Sequence, residues 1–467
     1  MLDPNSCYRA LTARDARFDG VFFVAVRTTG IYCRPICSAR TPKRESCSFF
    51  RSGAEAERAG FRACLRCRPE LAPGNAPIDA VPDLVRRAVA RIEAGYLDTS
   101  DVEALAGALG VTGRHLRRSM ERELGVGPIE LAQSKRLALA KQLLQDTRLD
   151  LAQVAFASGF KSIRRFNSLF RDRCGFSPSE LRRGKEARAA GSAIPLRLDF
   201  RPPLDWDSLL AFFRDRALPG VESVTADEYR RVVRLGGALG TVGVWRDPGR
   251  PSLRAEVSMS LSASLVTIVA RLRALFDLDA RPDAVARALE SDALLAPLVR
   301  SRPGLRVPGA FDGFESAARV VLGQQVSVAA ARTLAGRLVA RWGDAVAFPS
   351  AAELAARSVD ELASVGMPGR RAETLRAVAA SFARDPEAAT APGALDGIAG
   401  LGDWSRECIR MRAGRDPDAF PAGDLGLKKA LPGHTIRQIS QRAEAWRPWR
   451  AYAVMHLWMA LTKGESK

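Results

Sequence analysis

The sequence predicts a multidomain chain: a small cysteine-rich α+β domain, an all-α pair of helix-turn-helix units, a mixed α/β domain and a final all-α domain. Three observations predict it. The 467 residues exceed what one hydrophobic core serves, so several domains of about 100–150 residues each are expected. Six of the eight cysteines fall before residue 70, and only Cys174 and Cys408 follow. The hydrophobic period also changes along the chain, from helical spacing to short β-branched runs and back to helical spacing.

Composition narrows the function classes. Hydrophobic residues make up 47% and charged residues 26%, as in a folded protein and not a disordered one. The net charge is +19, and a globular protein this basic usually meets a polyanion, most often nucleic acid. An Arg-rich protein with no such partner is the bland alternative. Met1–Asn5 carries neither a basic stretch nor an apolar core of a secretory leader. The apolar run Leu261–Ile268 meets Arg271 and Arg273 too soon to span a bilayer, so a cytoplasmic protein is expected.

Residues 1–78 form the first expected domain. Cys33-Arg-Pro-Ile-Cys37 precedes Cys64-Leu-Arg-Cys67. Two close pairs separated by a loop suit a tetrahedral thiolate metal site, because one tight turn supplies two sulfurs. Unrelated buried cysteines are the alternative, and that is how Cys7 and Cys47 read. The surrounding Arg27-Thr-Thr-Gly-Ile-Tyr-Cys33 and Ala59-Gly-Phe-Arg-Ala-Cys64 stretches resemble the N-terminal Ada-type methyl-acceptor domain over roughly residues 3–70. The resemblance implies one Zn²⁺ held by Cys33, Cys37, Cys64 and Cys67. It also implies that Cys33 irreversibly accepts a methyl group from a methylphosphotriester in DNA. Methylation removes one negative charge, which lowers repulsion from the DNA backbone.

The second domain is expected over 79–186, between the Pro/Gly/Ala-rich stretch Pro69–Ala80 and the polar, small-residue stretch Arg183–Ala193. It holds a repeat at an offset of 50 residues: Leu116 with Phe166, Met120 with Phe170, Gly125 with Gly175, Pro128 with Pro178. Ser162 suits an N-cap, and Ile163, Phe166, Leu169 and Phe170 share one helical face. Arg164, Arg165 and Asn167 stay outside, as do Arg114, Arg117 and Arg118 in the first copy. That arrangement fits a major-groove reading helix or simply a solvated face. Gly159-Phe-Lys-Ser162 and Gly175-Phe-Ser-Pro178 resemble AraC-type transcription factors over about 81–184.

A mixed domain is expected over 193–280. Val224–Leu235, Gly240–Trp245 and Leu253–Val257 are β-branched runs joined by glycines and by Asp247-Pro-Gly249, and Ser264–Phe276 has helical spacing. Residues 281–467 are then expected to be helical. Within them, Leu395-Asp-Gly-Ile-Ala-Gly400-Leu-Gly402 reads as a tight hairpin between helices. Gly400 and Gly402 allow a phosphate close approach, and the next helix offers free N–H groups.

Downstream lie Asp416, Asp418 and Asp424. Together with Val320-Val-Leu-Gly-Gln-Gln-Val-Ser-Val328, Trp446-Arg-Pro-Trp-Arg450 and Arg201-Pro-Pro-Leu-Asp-Trp206, the Gly397–Asp424 segment resembles the AlkA-type helix-hairpin-helix DNA glycosylases over about 194–463. The resemblance implies a mixed α/β AlkA N-terminal domain followed by an all-α glycosylase domain that excises alkylated purines such as 3-methyladenine and 7-methylguanine. Asp424 is implied as the catalytic carboxylate, although it also suits an N-cap. Trp404 and Trp458 match aromatic pocket positions, although tryptophans are also buried for packing. Two positions depart from the pattern: Cys408 stands where the family has a pocket tyrosine, and Gln325 where it has an apolar wedge. No lysine replaces Trp404, so a monofunctional glycosylase without lyase chemistry is expected. No cysteine follows Cys408 for an iron–sulfur loop. No Pro-Cys-His-Arg motif is present, so direct reversal of O6-methylguanine is not expected.

The implied partners are double-stranded DNA, at alkylated sites and at promoters, and RNA polymerase, with the chain acting as a monomer. Two competing classes remain. One is a methylation-sensing activator of transcription whose glycosylase-like domain only binds DNA. The other is a structural nucleoid protein, which would need no zinc.

Overall fold

The computed structural model describes residues 3–74, 82–183, 193–344 and 346–464. The chain divides into two compact units. The first comprises Met1–Pro202 with Leu235–Gly240 and Asp247–Ala270; the second comprises Pro203–Arg234, Thr241–Arg246 and Arg271–Lys467.

The first unit opens with a four-stranded sheet in the order Cys47–Phe50, Phe23–Val26, Ile31–Cys33, Arg62–Ala63. Alternation along Phe23–Val26 sends residues to both faces, as the two-residue period of a strand requires. Val24 packs with Cys7, Leu11, Phe22 and Cys47, and Phe23 and Ala25 with Tyr32 and Ala56. Cys7 and Cys47 are therefore core residues, as their spacing suggested. Two clusters this small leave a domain that gains much from an added cross-link or metal.

The two helix-turn-helix units follow. The first pairs Val102–Ala108 with Gly113–Leu124, and the second pairs Leu151–Ala157 with Ile163–Cys174. Pro128 and Pro178 each open the next helix, and Gly110, Gly125, Gly159 and Gly175 all have positive φ. The repeat in sequence is thus a repeat in backbone. Phe166 and Phe170 are fully buried, but Ile163 is 39% exposed, contrary to its expected place on the inner face. It is the first residue of its helix and projects beyond the packed turn. The stretch expected as a linker at Pro69–Ala80 begins instead as a packed turn with Pro69 and Leu71 buried. Residues 75–81, and 184–192 of the second expected linker, lie outside the described residues.

The first unit also holds the antiparallel strands Ala193–Asp199 and Ser252–Ser258, with Ile194, Leu196, Leu198, Leu253, Ala255 and Val257 buried in alternation. The second unit holds helix Trp206–Arg216 and the antiparallel pair Glu222–Val224 and Glu228–Leu235. The run expected as one strand from Val224 is therefore split by the turn at Thr225–Asp227. Strand Ala193–Asp199 and helix Trp206–Arg216 were not singled out from sequence.

From Pro282 the second unit is helical. Its main core joins Gly313–Leu322, Val328–Trp342, Gly369–Arg384 and Asp403–Arg412 through Phe314, Val321, Leu338, Leu375, Phe382 and Ile409. No helix among the described residues is long and apolar enough to cross a membrane.

Candidate active site and thiolate centre

In the second unit the hairpin and the carboxylate come together. The chain leaves helix Gly369–Arg384, turns through 395–402 and enters Asp403–Arg412 with Gly402 as N-cap. Gly400 has φ +81°, and a Cβ there would collide with the Thr374 hydroxyl. That hydroxyl donates to the Ala399 carbonyl at 2.8 Å and so fixes the turn. The Gln324 amide donates to the Gly400 carbonyl at 2.9 Å and to Ser405 Oγ at 2.9 Å. Arg371 in turn donates to the Gln324 carbonyl at 2.6 Å. Sequence reasoning missed Gln324, Arg371 and Thr374. A polar Gln following the apolar run Val320–Leu322 was the available signal.

Gln325 is exposed and holds φ +54°, a conformation that costs a non-glycine residue free energy. Val326 and Val328 beside it are exposed as well. The turn therefore presents an amide flanked by apolar groups.

Asp424 caps helix Leu425–Ala430, where its Oδ1 accepts from the Leu427 N–H at 3.2 Å. It does more than cap. Trp458 Nε1 donates to Oδ1 at 2.8 Å, and Trp404 Nε1 donates to Oδ2 at 3.0 Å. Both indoles are half-buried, and so is the carboxylate. Gly426 makes room for this arrangement, since a Cβ there would lie 2.8 Å from Trp458 Cδ1 and 2.9 Å from Asp424 Oδ1. The competing carboxylates are committed elsewhere. Asp416 pairs with Arg410, and Asp418 pairs with Arg447 and, at 2.8 Å, with Arg450. Cys408 is buried in the helical core, and burial, with the charge of Asp424, pushes its thiol up to about 12. It stays a neutral thiol near pH 7.

The thiolate centre belongs to the first unit. Strand Ile31–Cys33 runs parallel to Arg62–Ala63, with Tyr32 opposite Ala63. Both cysteine pairs therefore leave neighbouring strand ends on the same side. The sulfurs of Cys33, Cys37, Cys64 and Cys67 all lie within 4.8 Å of one another. A tetrahedral ion with Zn–S bonds of ~2.3 Å sets its sulfurs ~3.8 Å apart, so this four-sulfur set fits Zn²⁺. Cys33 is half-buried and Cys37 is buried. The Arg34 N–H donates to Cys67 Sγ at 3.4 Å. The buried Arg34 side chain pairs with Asp19 and, at 2.8 Å, with Asp199.

On the helix-turn-helix pair, Arg114, Arg117, Arg118, Arg164 and Arg165 are exposed, and Asn167 is half-buried. Ser162 caps the second helix through the Arg165 N–H. Arg117 pairs with Glu103 at 2.8 Å.

Four family profiles match the chain: the metal binding domain of Ada over residues 6–70, a helix-turn-helix domain over 105–184, the AlkA N-terminal domain over 195–312, and the HhH-GPD superfamily of base excision DNA repair proteins over 318–445. The probable bifunctional transcriptional activator/DNA repair enzyme AlkA of Mycobacterium tuberculosis is 40% identical over 98% of this chain and 97% of its own length. DNA-3-methyladenine glycosylase 2 of Escherichia coli is 34% identical over 56% of this chain and 95% of its own length. Among solved structures, a 3-methyladenine DNA-glycosylase from Archaeoglobus fulgidus covers 56% of this chain and 97% of its own, with 21% identity and a TM-score of 0.48.

Proposed function

This chain belongs to the family of bifunctional transcriptional activator/DNA repair enzymes, and from that premise we propose that it excises alkylated purines from DNA and accepts methyl groups from damaged backbone at Cys33. The observation that carries the first activity is the Asp424 carboxylate gripped by two indole N–H groups beside a helix-hairpin-helix turn. An N3- or N7-alkylated purine is cationic, so its glycosidic bond is already weak. As the C1′–N bond breaks, its electron pair goes to the base and positive charge develops on the sugar. The Asp424 carboxylate stabilises that charge. Water then bonds to C1′ and loses a proton, leaving an abasic site and a free base.

The base must first leave the stack. Gln325 and its apolar neighbours are placed in this reading as the group that fills the gap, and Gly400 and Gly402 as backbone contacts to phosphate. Trp404 and Trp458 present π-faces that attract a cationic base. Cys408, smaller than a tyrosine, alters one wall of that pocket.

In the first unit, the Cys33 sulfur attacks the methyl carbon of a methylphosphotriester. A C–S bond forms, the methyl C–O bond breaks, and a phosphodiester anion leaves. Zinc, held by Cys33, Cys37, Cys64 and Cys67, supplies the means to keep these sulfurs deprotonated near pH 7. The loss of one negative charge on methylation favours DNA binding by the adjacent reading helices. Two such helices in one chain support promoter binding by a monomer that then engages RNA polymerase. The division into 1–78, 79–186, 193–280 and 281–467 is part of the same proposal.

The test uses duplex DNA containing 7-methylguanine. Wild-type protein should release free base, and Asp424→Asn should reduce release by roughly a thousandfold while still binding the duplex. Equal release by both would overturn the enzyme reading in favour of a sensor that only binds. Mass spectrometry after exposure to methylphosphotriester DNA should find one added methyl, on Cys33. A methyl on another residue would overturn that assignment.

A further inference from the structure

Ile163 opens the second reading helix, directly after its N-cap Ser162. It is exposed although Phe166 and Phe170 on the same face are fully buried. Side chains on a helix tilt toward its N-terminus, so the first residue projects past the helix end. Lys161, Ser162, Arg164 and Arg165 around it are all exposed. A branched alkyl group therefore stands among cations, at the end of the helix that a helix-turn-helix presents to base edges.

The equivalent place in the first helix-turn-helix copy is built differently. Gly113 follows the N-cap Thr112, and its N–H donates to the Glu103 carboxylate at 3.2 Å. Arg117 donates to the same carboxylate at 2.8 Å, and a Cβ at position 113 would collide with it. One helix end is closed by a carboxylate, while the other is open and apolar.

Within the major groove only thymine offers an apolar group, its C5 methyl. Against the donor and acceptor edges of the other bases, an alkyl side chain displaces water and returns no hydrogen bond. We propose that Ile163 is a specificity-determining residue that packs on the C5 methyl of a thymine in the preferred duplex, a contact the first helix-turn-helix copy does not duplicate. This rests on the reading of the second helix as a DNA-reading element.

The test takes the full-length, zinc-loaded chain and selects its preferred site from a random duplex library. Each thymine of that site is then replaced in turn by deoxyuridine, which deletes only the methyl. One replacement should weaken wild-type binding by about three- to fivefold. Ile163→Ala should bind the thymine and uracil forms of that position equally, with an unchanged unfolding midpoint. If no replacement matters, or if the variant feels it as strongly as wild type, the proposal is overturned. Selection of no preferred site, or undiminished binding by Arg164→Ala and Arg165→Ala, would instead overturn the reading of the helix, and the proposal with it.

Discussion

At Asp424, one residue answers two structural demands at once. The N-cap reading and the catalytic reading compete in the sequence, because an aspartate before Leu425-Gly-Leu satisfies either. In the folded chain the cap is made and the same carboxylate is also held by two indoles: one oxygen accepts from the helix N–H and from Trp458, and the other accepts from Trp404. Both tryptophans, which read in sequence as core packing or as pocket wall, are half-buried with their N–H groups on the carboxylate. That contact spans 20 residues for Trp404 and 34 for Trp458, too far for any local pattern to reveal. It also makes a prediction. Trp404→Phe keeps an aromatic ring but removes the donor that orients Oδ2. The single-turnover rate of 7-methylguanine release should fall roughly tenfold, the size expected for one lost hydrogen bond to a charged group. Duplex affinity, measured in the same buffer, should stay within about twofold, because the ring still packs on the core. An unchanged rate would mean that the indole N–H takes no part in setting the carboxylate.

At the scale of elements, periodicity carried the helix-turn-helix units and missed what holds them. Turn glycines, capping residues and the phenylalanine face are local signals, and each reappears in the fold. The docking of helix Pro128–Asp146 on helix Gly53–Arg58 and the turn Pro69–Leu71 of the cysteine-rich domain is not local. Lys141 of that helix is fully buried, and its ammonium lies 3.6 Å from the Glu57 carboxylate. Burial alone would lower the Lys141 pKa, but Glu57 and Glu70 outweigh it and hold the ammonium above its ordinary range. Glu57 also accepts from the hydroxyl of Tyr32, the residue before Cys33, at 2.9 Å. Further along the helix, Asp146 accepts both terminal nitrogens of Arg68, the residue after Cys67, at 2.9 Å each. Residues adjoining two zinc ligands are therefore tied to one helix, Tyr32 through the buried Glu57–Lys141 pair and Arg68 through a half-buried ion pair. Removing one partner strands the other in a medium of low dielectric. Lys141→Met should lower stability by about 3 kcal/mol, and Glu57→Gln in the same chain should restore most of it. Urea unfolding of the three proteins, followed through the first unit, measures this. A double variant no more stable than Lys141→Met alone would show that the pair is not what couples the two helices.

Across the whole molecule, composition and cysteine clustering were enough to indicate a basic, multidomain, zinc-compatible chain. They could not indicate how the chain partitions. The expected boundary near residue 280 rests on a change in hydrophobic period, while the two compact units are defined by long-range packing. Within the second unit, Arg231 and Arg319 of distant segments share the buried Glu222 and Glu315, pairings 84 and 97 residues apart that no window of sequence contains. The partition has a functional consequence. Every group placed around Asp424 lies in the second unit, and all four cysteines of the thiolate centre lie in the first. Cys64→Ala removes one of four ligands and leaves three sulfurs crowded at the ends of two short strands, so bound zinc should fall and the first unit should melt earlier. Base release should nevertheless stay within about twofold of wild type at saturating substrate, because no group that touches the reacting sugar has moved. Metal content, thermal unfolding and 7-methylguanine release on one preparation would provide the three measurements. If release fell in step with zinc, chemistry in the second unit would depend on the integrity of the first, and the two activities would have to be treated as one coupled machine.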